Sequence, residues 1–227
     1  MKPNTYGVHK PNAKGNFFRS VWAIPLGRAL LLAGAGLAAA AAIVGVTLYN
    51  EGGAAEQRAK HILDGYREAV AAIETQSPAG SAASVPEPSA MATTFDGFNI
   101  LGILTIGKLS QTLPVISQTD DNALKSSICY YTGALPGEKG NMIVTGHNYA
   151  DGAMFGRLHE LKVGDVVQLE TPDKTYAYKV YNIETITPDD VAALDEYQGD
   201  YSMTLMTCTS QGNMRLLVRC GLEGTPA

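Results

Sequence analysis

The sequence of 227 residues predicts an all-β domain, a closed barrel or a sandwich, carried behind one apolar helix. Three observations predict it. From Thr94 to Ala227 the apolar residues alternate with a period near two rather than 3.6. Turn signals (Pro136-Gly137, Asp151-Gly152, Val163-Gly164-Asp165, Pro172-Asp173) cut that pattern into short runs. Ahead of it, Ala29 to Tyr49 forms an uncharged run of 21 residues.

The charge distribution orients the N-terminal part. Residues 1–50 hold five basic side chains (Lys2, Lys10, Lys14, Arg19, Arg28) and no Asp or Glu, so all 22 acids follow. Residues 1–28 read as a basic cytoplasmic tail. Residues 29–49, at 1.5 Å per residue, reach about 30 Å, the thickness of a hydrocarbon core, and read as a single transmembrane helix. Positive flanks stay inside, which places everything after Asn50 outside the cell membrane. A cleaved signal peptide is the competing reading, with a shorter apolar core and a small-residue cleavage site.

Residues 50–93 divide in two. Between Ala54 and Glu74 the residues Ile62, Tyr66, Ala69, Val70 and Ile73 recur at helical spacing, which predicts a short amphipathic helix. From Gln76 to Thr93, Ser, Ala, Pro and Gly dominate, a composition that buries too little apolar surface to order itself and reads as a flexible tether. Residues 94–227 are the size of one compact domain.

Within that domain seven runs read as strands: 103–108, 113–117, 142–145, 165–170, 176–185, 203–208 and 214–220. Helix is expected only at 153–161 and 188–197. The part beyond residue 50 keeps 12 basic against 22 acidic residues. That balance excludes nucleic acid as a partner, since phosphate binding needs a basic footprint, and argues against adhesion to anionic lipid.

The chemistry concentrates in three places. The run Thr204-Leu205-Met206-Thr207-Cys208 ends a strand on a thiol, Gly146-His147-Asn148 follows another strand, and Arg215 comes seven residues after Cys208. A thiol, an imidazole and a guanidinium are the groups that covalent acyl transfer needs. Each has a plainer reading: Cys208 as a small buried hydrophobe, His147 as a surface or capping residue. His9 lies in the tail, His61 on the amphipathic helix and His159 at a surface turn, which leaves His147. Arg215 and Arg219 share a strand face, but Arg219 lies about 13 Å further from the hairpin. The hairpin imposes a condition. A five-residue loop over 209–213 would set Cys208 opposite Met214, so pairing with Arg215 requires an even loop or a bulge at Gly212-Asn213.

Cys129 and Cys220 remain as a disulfide or as two buried thiols in neighbouring strands. The three cysteines with His147 match no common metal-ligand spacing. Tyr130, Tyr131, Tyr176, Tyr178 and Tyr181 read as barrel packing, with a peptide-stacking groove as the alternative.

The Thr-Leu-x-Thr-Cys run at 204–208, Gly146-His147 and the Arg-Leu-Leu-Val-Arg stretch at 215–219 resemble the catalytic signature of the sortases. The resemblance runs from Asn99 to Leu222 and takes in Leu113-Pro114-Val115, Gly140-Asn141 and Met154-Phe155. The Gly-His-Asn and Met-Phe elements are similar to class B sortases. The 181–203 segment is shorter than class B enzymes usually show, and a class D-like pattern is the other reading. The spacing from Cys208 to Arg215 is short for any class.

The resemblance implies an eight-stranded β-barrel and a membrane-anchored cysteine transpeptidase. Cys208 would attack a sorting signal resembling Leu-Pro-x-Thr-Gly to give a thioacyl intermediate. His147 would protonate the departing amine and deprotonate the incoming one, and Arg215 would hold the developing oxyanion or the peptide backbone. The partners implied are secreted proteins bearing a C-terminal sorting signal, an amine of a cell-wall precursor or of a pilin-like subunit, and the cytoplasmic membrane of a Gram-positive bacterium. No cofactor is implied. Glu184, Asp189 and Asp190 could hold calcium, as in some sortases, or form a solvated acidic loop. A thiol peptidase using water, and a catalytically silent surface-tethered binding module, are the alternatives.

Overall fold

The structure is a computed structural model that describes residues 26–76 and 93–224. The basic tail before Leu26 and the predicted tether at 77–92 lie outside the described residues. The chain divides into two compact units between Val44 and Gly45.

Where the sequence predicts a transmembrane helix and a separate amphipathic helix, the structure has one helix, α1 (Leu26–Gln76). Its passage through Asn50-Glu51-Gly52-Gly53 meets no proline. Each glycine costs only about 1 kcal/mol against alanine, between strong helix formers on both sides. In the first unit Leu37 and Ile43 are exposed on this helix. Among the described residues no helix is long and apolar enough to cross a membrane; the side chains of 26–33 and 48–49 lie outside them.

In the second unit α1 is amphipathic, as the spacing predicts. Ala55, Ala59, Ile62, Leu63 and Tyr66 are buried, and Ile62 keeps 1% of its surface. Ile62, Leu63 and Tyr66 pack with Phe98, Ile100, Ile103 and Ile116 of the sheet, so this segment belongs to the core of the β-domain. Gly52 and Gly65 permit close approaches, since a Cβ would run into the Asp151 carboxylate at the first and the Phe95 ring at the second.

The sheet comprises β1 (Thr93–Phe95), β2 (Phe98–Ile106), β3 (Gln111–Ile116), β4 (Ile128–Gly133), β5 (Gly140–Thr145), β6 (Val166–Glu170), β7 (Thr175–Ile186), β8 (Tyr201–Cys208) and β9 (Arg215–Leu222). Their order is β1-β2-β3-β4-β5-β8-β9-β7-β6, and β6 returns to pair with β2. β2 manages three neighbours because β1 pairs at its start (Phe95↔Phe98) and β6 further along (Ile103↔Glu170). Strands β2 to β9 therefore close an eight-stranded barrel, the closed form of the predicted class. Its interior is filled by the inward residues of alternating strands, among them Leu104, Val115, Val144, Val167, Leu205 and Val218.

All seven predicted strands are present. Two were not predicted, β1 and β4. The predicted helix at 153–161 is a series of turns ending in a 3₁₀ turn at Leu158–Glu160, and the one at 188–197 is reduced to a 3₁₀ turn at Ala192–Asp195. The short helix α2 (Asp121–Ser126) stands where none was expected, started by the Asp120 carboxylate accepting from the Asn122 and Ala123 N–H groups (both 2.9 Å). Cys129 and Cys220 are free, buried thiols. They sit on β4 and β9, which are not neighbours in the sheet, so neither a disulfide nor an adjacent-strand pair exists.

Because α1 completes the core, Ile62→Ala is expected to lower the unfolding free energy of the β-domain by about 2–4 kcal/mol, read by urea denaturation.

Candidate active site

The site is set by one pairing. β5 and β8 are parallel neighbours whose register runs from Gly140↔Tyr201 to Thr145↔Met206, so both strands finish at the same rim of the barrel. His147 follows Thr145 by two residues and Cys208 follows Met206 by two. Beyond the last rung, one backbone bond and two side-chain bonds continue the ladder. The Gly146 N–H donates to the Met206 carbonyl (3.2 Å), the Thr207 hydroxyl to the Gly146 carbonyl (2.7 Å), and the Asn148 amide to the Cys208 carbonyl (2.7 Å). Glycine at 146 is dictated by a close approach: a Cβ would lie 2.7 Å from Ile128 and 3.0 Å from the Phe155 ring. After His147 the chain folds back. Phe155 N–H donates to the His147 carbonyl (3.0 Å), and Asn148 bridges Met154, whose φ of 51° lies in the left-handed region.

The β8–β9 hairpin meets the predicted condition without a bulge. The register runs unshifted from Ser202↔Gly221 to Cys208↔Arg215, and Thr209 N–H donates to the Met214 carbonyl (3.0 Å), so six residues connect the strands. Since Thr209 and Met214 form a hydrogen-bonded rung, Cys208 and Arg215 form the adjacent non-hydrogen-bonded pair. Cα atoms of such pairs stand about 4.5 Å apart, with their side chains close on one face. Among the described residues the only hydrogen bond of the Arg215 guanidinium is to the Met214 carbonyl at 3.4 Å, which leaves most of its donors to a ligand. Arg219, on the same face, is 2% exposed and bound to Glu184 and to the Ala193 and Glu196 carbonyls. The structure therefore separates two arginines that the sequence distinguishes only by distance.

His147, Cys208 and Arg215 line one cleft of about 290 Å³. All three are half-buried. Leu124 of α2 stands on one side, with Ile186, Val191, Leu194 and Met206 completing an apolar wall. The His147 ring lies 5.3 Å from that of Tyr149, centroid to centroid. Burial depresses the imidazole below its usual 6.5, and the Lys125 charge depresses it further against the opposing fields of Asp121 and Glu51. A depressed imidazole is neutral at pH 7 and can accept a proton.

The other candidates go elsewhere. His61 packs edge-on against Phe95, and His159 hydrogen-bonds the Gly156 carbonyl. Burial pushes the Cys129 and Cys220 thiols up to about 12, which keeps both protonated and unreactive. Tyr176 and Tyr178 fill the barrel, whereas Tyr131 is exposed and lines the cleft. Glu184 pairs with Arg219 and Asp190 accepts from the Ala193 N–H. Among the described residues no three His, Cys, Asp or Glu side chains stand together to hold a metal ion. Sequence reasoning missed Asn148 as a partner of Cys208, and it missed α2, which brings Asp121 and Lys125 within range of His147. The Asp120-Asp121-Asn122 capping signal could have located α2.

A Sortase domain family model matches residues 104–223. Sortase A of Bacillus anthracis is 31% identical over 138 residues, 59% of this chain and 65% of that protein. The chain thus spans less than two thirds of the length of this curated relative. Among solved structures, sortase C1 of Streptococcus agalactiae superposes with a TM-score of 0.53 at 32% identity, covering 59% of this chain and 72% of that one. Sortase C1 of Streptococcus suis gives 0.51 at 28% identity, covering 56% and 74%. These names span more than one sortase class, so the likeness reaches the family and not a subclass.

The charges around His147 fix the sign of a titration. Lys125→Met is expected to raise the imidazole pKa toward 6.5 and Glu51→Gln to lower it further, both read by NMR titration of the ring protons. Both shifts shrink as salt is added.

Proposed function

The chain belongs to the sortase family of cysteine transpeptidases, and we propose that it works as one, cutting a C-terminal sorting signal resembling Leu-Pro-x-Thr-Gly. The acyl group passes to an amine of a cell-wall precursor or of a pilin-like protein subunit. The observation that carries this reading is the register at the rim, which sets a thiol, an imidazole and a guanidinium around one apolar cleft. Leu124, Ile186, Val191, Leu194 and Met206 suit the uncharged Leu-Pro part of such a signal.

The roles follow from the groups. Neutral His147 takes the proton of the Cys208 thiol as sulfur attacks the scissile carbonyl carbon. Negative charge moves onto the carbonyl oxygen, where Arg215 holds it. The C–N bond breaks as His147 returns its proton to the leaving amine, and the acyl group remains on Cys208 as a thioester. An incoming amine gives a proton to His147 and attacks the thioester. The C–S bond then breaks and the sulfur recovers that proton. The reading requires no metal or cofactor, because these three side chains supply every proton and charge the steps use.

We place the protein at the outer face of the cytoplasmic membrane of a Gram-positive bacterium. Residues 1–28 would be cytoplasmic, 29–49 the anchor, 50–93 a helix and linker, and 94–227 the catalytic domain. The support is the five basic residues and absent acids in the first 50 positions, with exposed apolar side chains such as Leu37 and Ile43 on the first half of α1.

Incubation with a fluorogenic sorting peptide, with and without an added amine, tests the reading. Cleavage that transfers the peptide to the amine, with a thioacyl adduct on Cys208 by mass spectrometry, is the expected result. Cleavage that ignores the amine would favour a thiol peptidase, and no adduct would leave a binding module. Cys208→Ala is expected to abolish turnover. Arg215→Ala is expected to lower kcat by about 10²–10³-fold with the adduct still formed slowly.

A further inference from the structure

The cleft has one wall with little internal structure. Residues 187–200 connect β7 to β8 around the single 3₁₀ turn Ala192–Asp195, and this connection supplies Pro188, Asp190, Val191 and Leu194 to the cleft. Two carbonyls of that turn and the one just after it are held by buried side chains from the barrel. Arg219 of β9 donates to the carbonyls of Ala193 and Glu196, and Asn141 of β5 donates to that of Leu194 (3.1 Å). The two clamps are tied together. Thr204, the cross-strand partner of Arg219, donates its hydroxyl to the Asn141 side-chain oxygen (3.0 Å). The Glu184 carboxylate neutralises the buried guanidinium. Burying an arginine is tolerated only when it is paired and its donors are satisfied, and here two of those donors are used on one loop.

We propose that Arg219 is a positioning residue that fixes the 187–200 segment as the peptide-facing wall of the cleft, and so sets affinity for substrate without touching the reacting atoms. This rests on the sortase reading of the site. Lysine cannot replace it, because a single ammonium lacks the planar fork that reaches a carboxylate and two carbonyls at once.

The full chain bearing Arg219→Lys provides the test. Amide hydrogen exchange within 187–200 is expected to quicken about tenfold or more while the barrel strands keep their protection. KM for a sorting peptide is expected to rise about tenfold with kcat within about threefold, and the rate of Cys208 alkylation by iodoacetamide, which needs no wall, is expected to stay unchanged. Glu184→Gln, which keeps the guanidinium and removes only its neutralising charge, should give the same pattern at smaller size and serves if the lysine variant does not fold. Unchanged exchange in 187–200 would overturn the positioning role, and quickened exchange with an unchanged KM would overturn the wall. Exchange is read without substrate, so a wild-type chain that cuts no sorting peptide would count against the sortase reading while exchange still decides the role of Arg219.

Discussion

The parallel pairing of β5 with β8 is the constraint on which the rest of the site depends. Two strands that enter the barrel some 60 residues apart in sequence finish level at one rim, with Thr145 opposite Met206, and each is followed at the same interval by a reactive side chain. Side chains alternate faces along a strand, so a slip of one residue would turn Cys208 away from the cleft. The antiparallel return of β9 then sets Arg215 beside Cys208. Register thus brings His147, 61 residues away in sequence, to the hairpin that carries Cys208 and Arg215, and the hydrogen bonds of Thr207 and Asn148 carry that alignment past the point where the backbone ladder ends.

Around this rim the structure adds supports that act on the loops and not on the strands. α1 anchors both flanks of the histidine: Arg58 donates to the Lys125 carbonyl at the end of α2, and Gly52 lets the helix lie against Asp151 in the loop that follows His147. Its charge also reaches the imidazole, since Glu51 opposes the depression that burial and Lys125 impose. The segment beyond the predicted membrane span is therefore bound to the chemistry through packing and field alike.

Much of this was legible in sequence. The period of two located seven strands, and parity along the hairpin stated in advance what the turn had to satisfy. β4 escaped because Ile128-Cys129-Tyr130-Tyr131-Thr132 does not alternate: its first two residues are buried, its last are exposed, and its pairing with β3 spans two rungs. The 153–161 segment misled for the opposite reason. Met154, Phe155, Leu158 and Leu161 carry helical spacing and are all buried, yet Gly152 and Gly156 and the left-handed Met154 bend the chain into turns that close over the core. The partners of Arg219 and Asn148 could not be read at all, since they lie 23 to 60 residues away and are set by tertiary register.

The site works only if the Cys208 thiol senses the His147 imidazole, and the pH dependence of Cys208 alkylation by iodoacetamide reads that coupling. An inflection below pH 6.5 is expected in the wild-type chain, where His147 titrates, and its loss is expected in His147→Gln. Identical profiles in the two proteins would show that the thiol does not sense the imidazole, and would contradict the site.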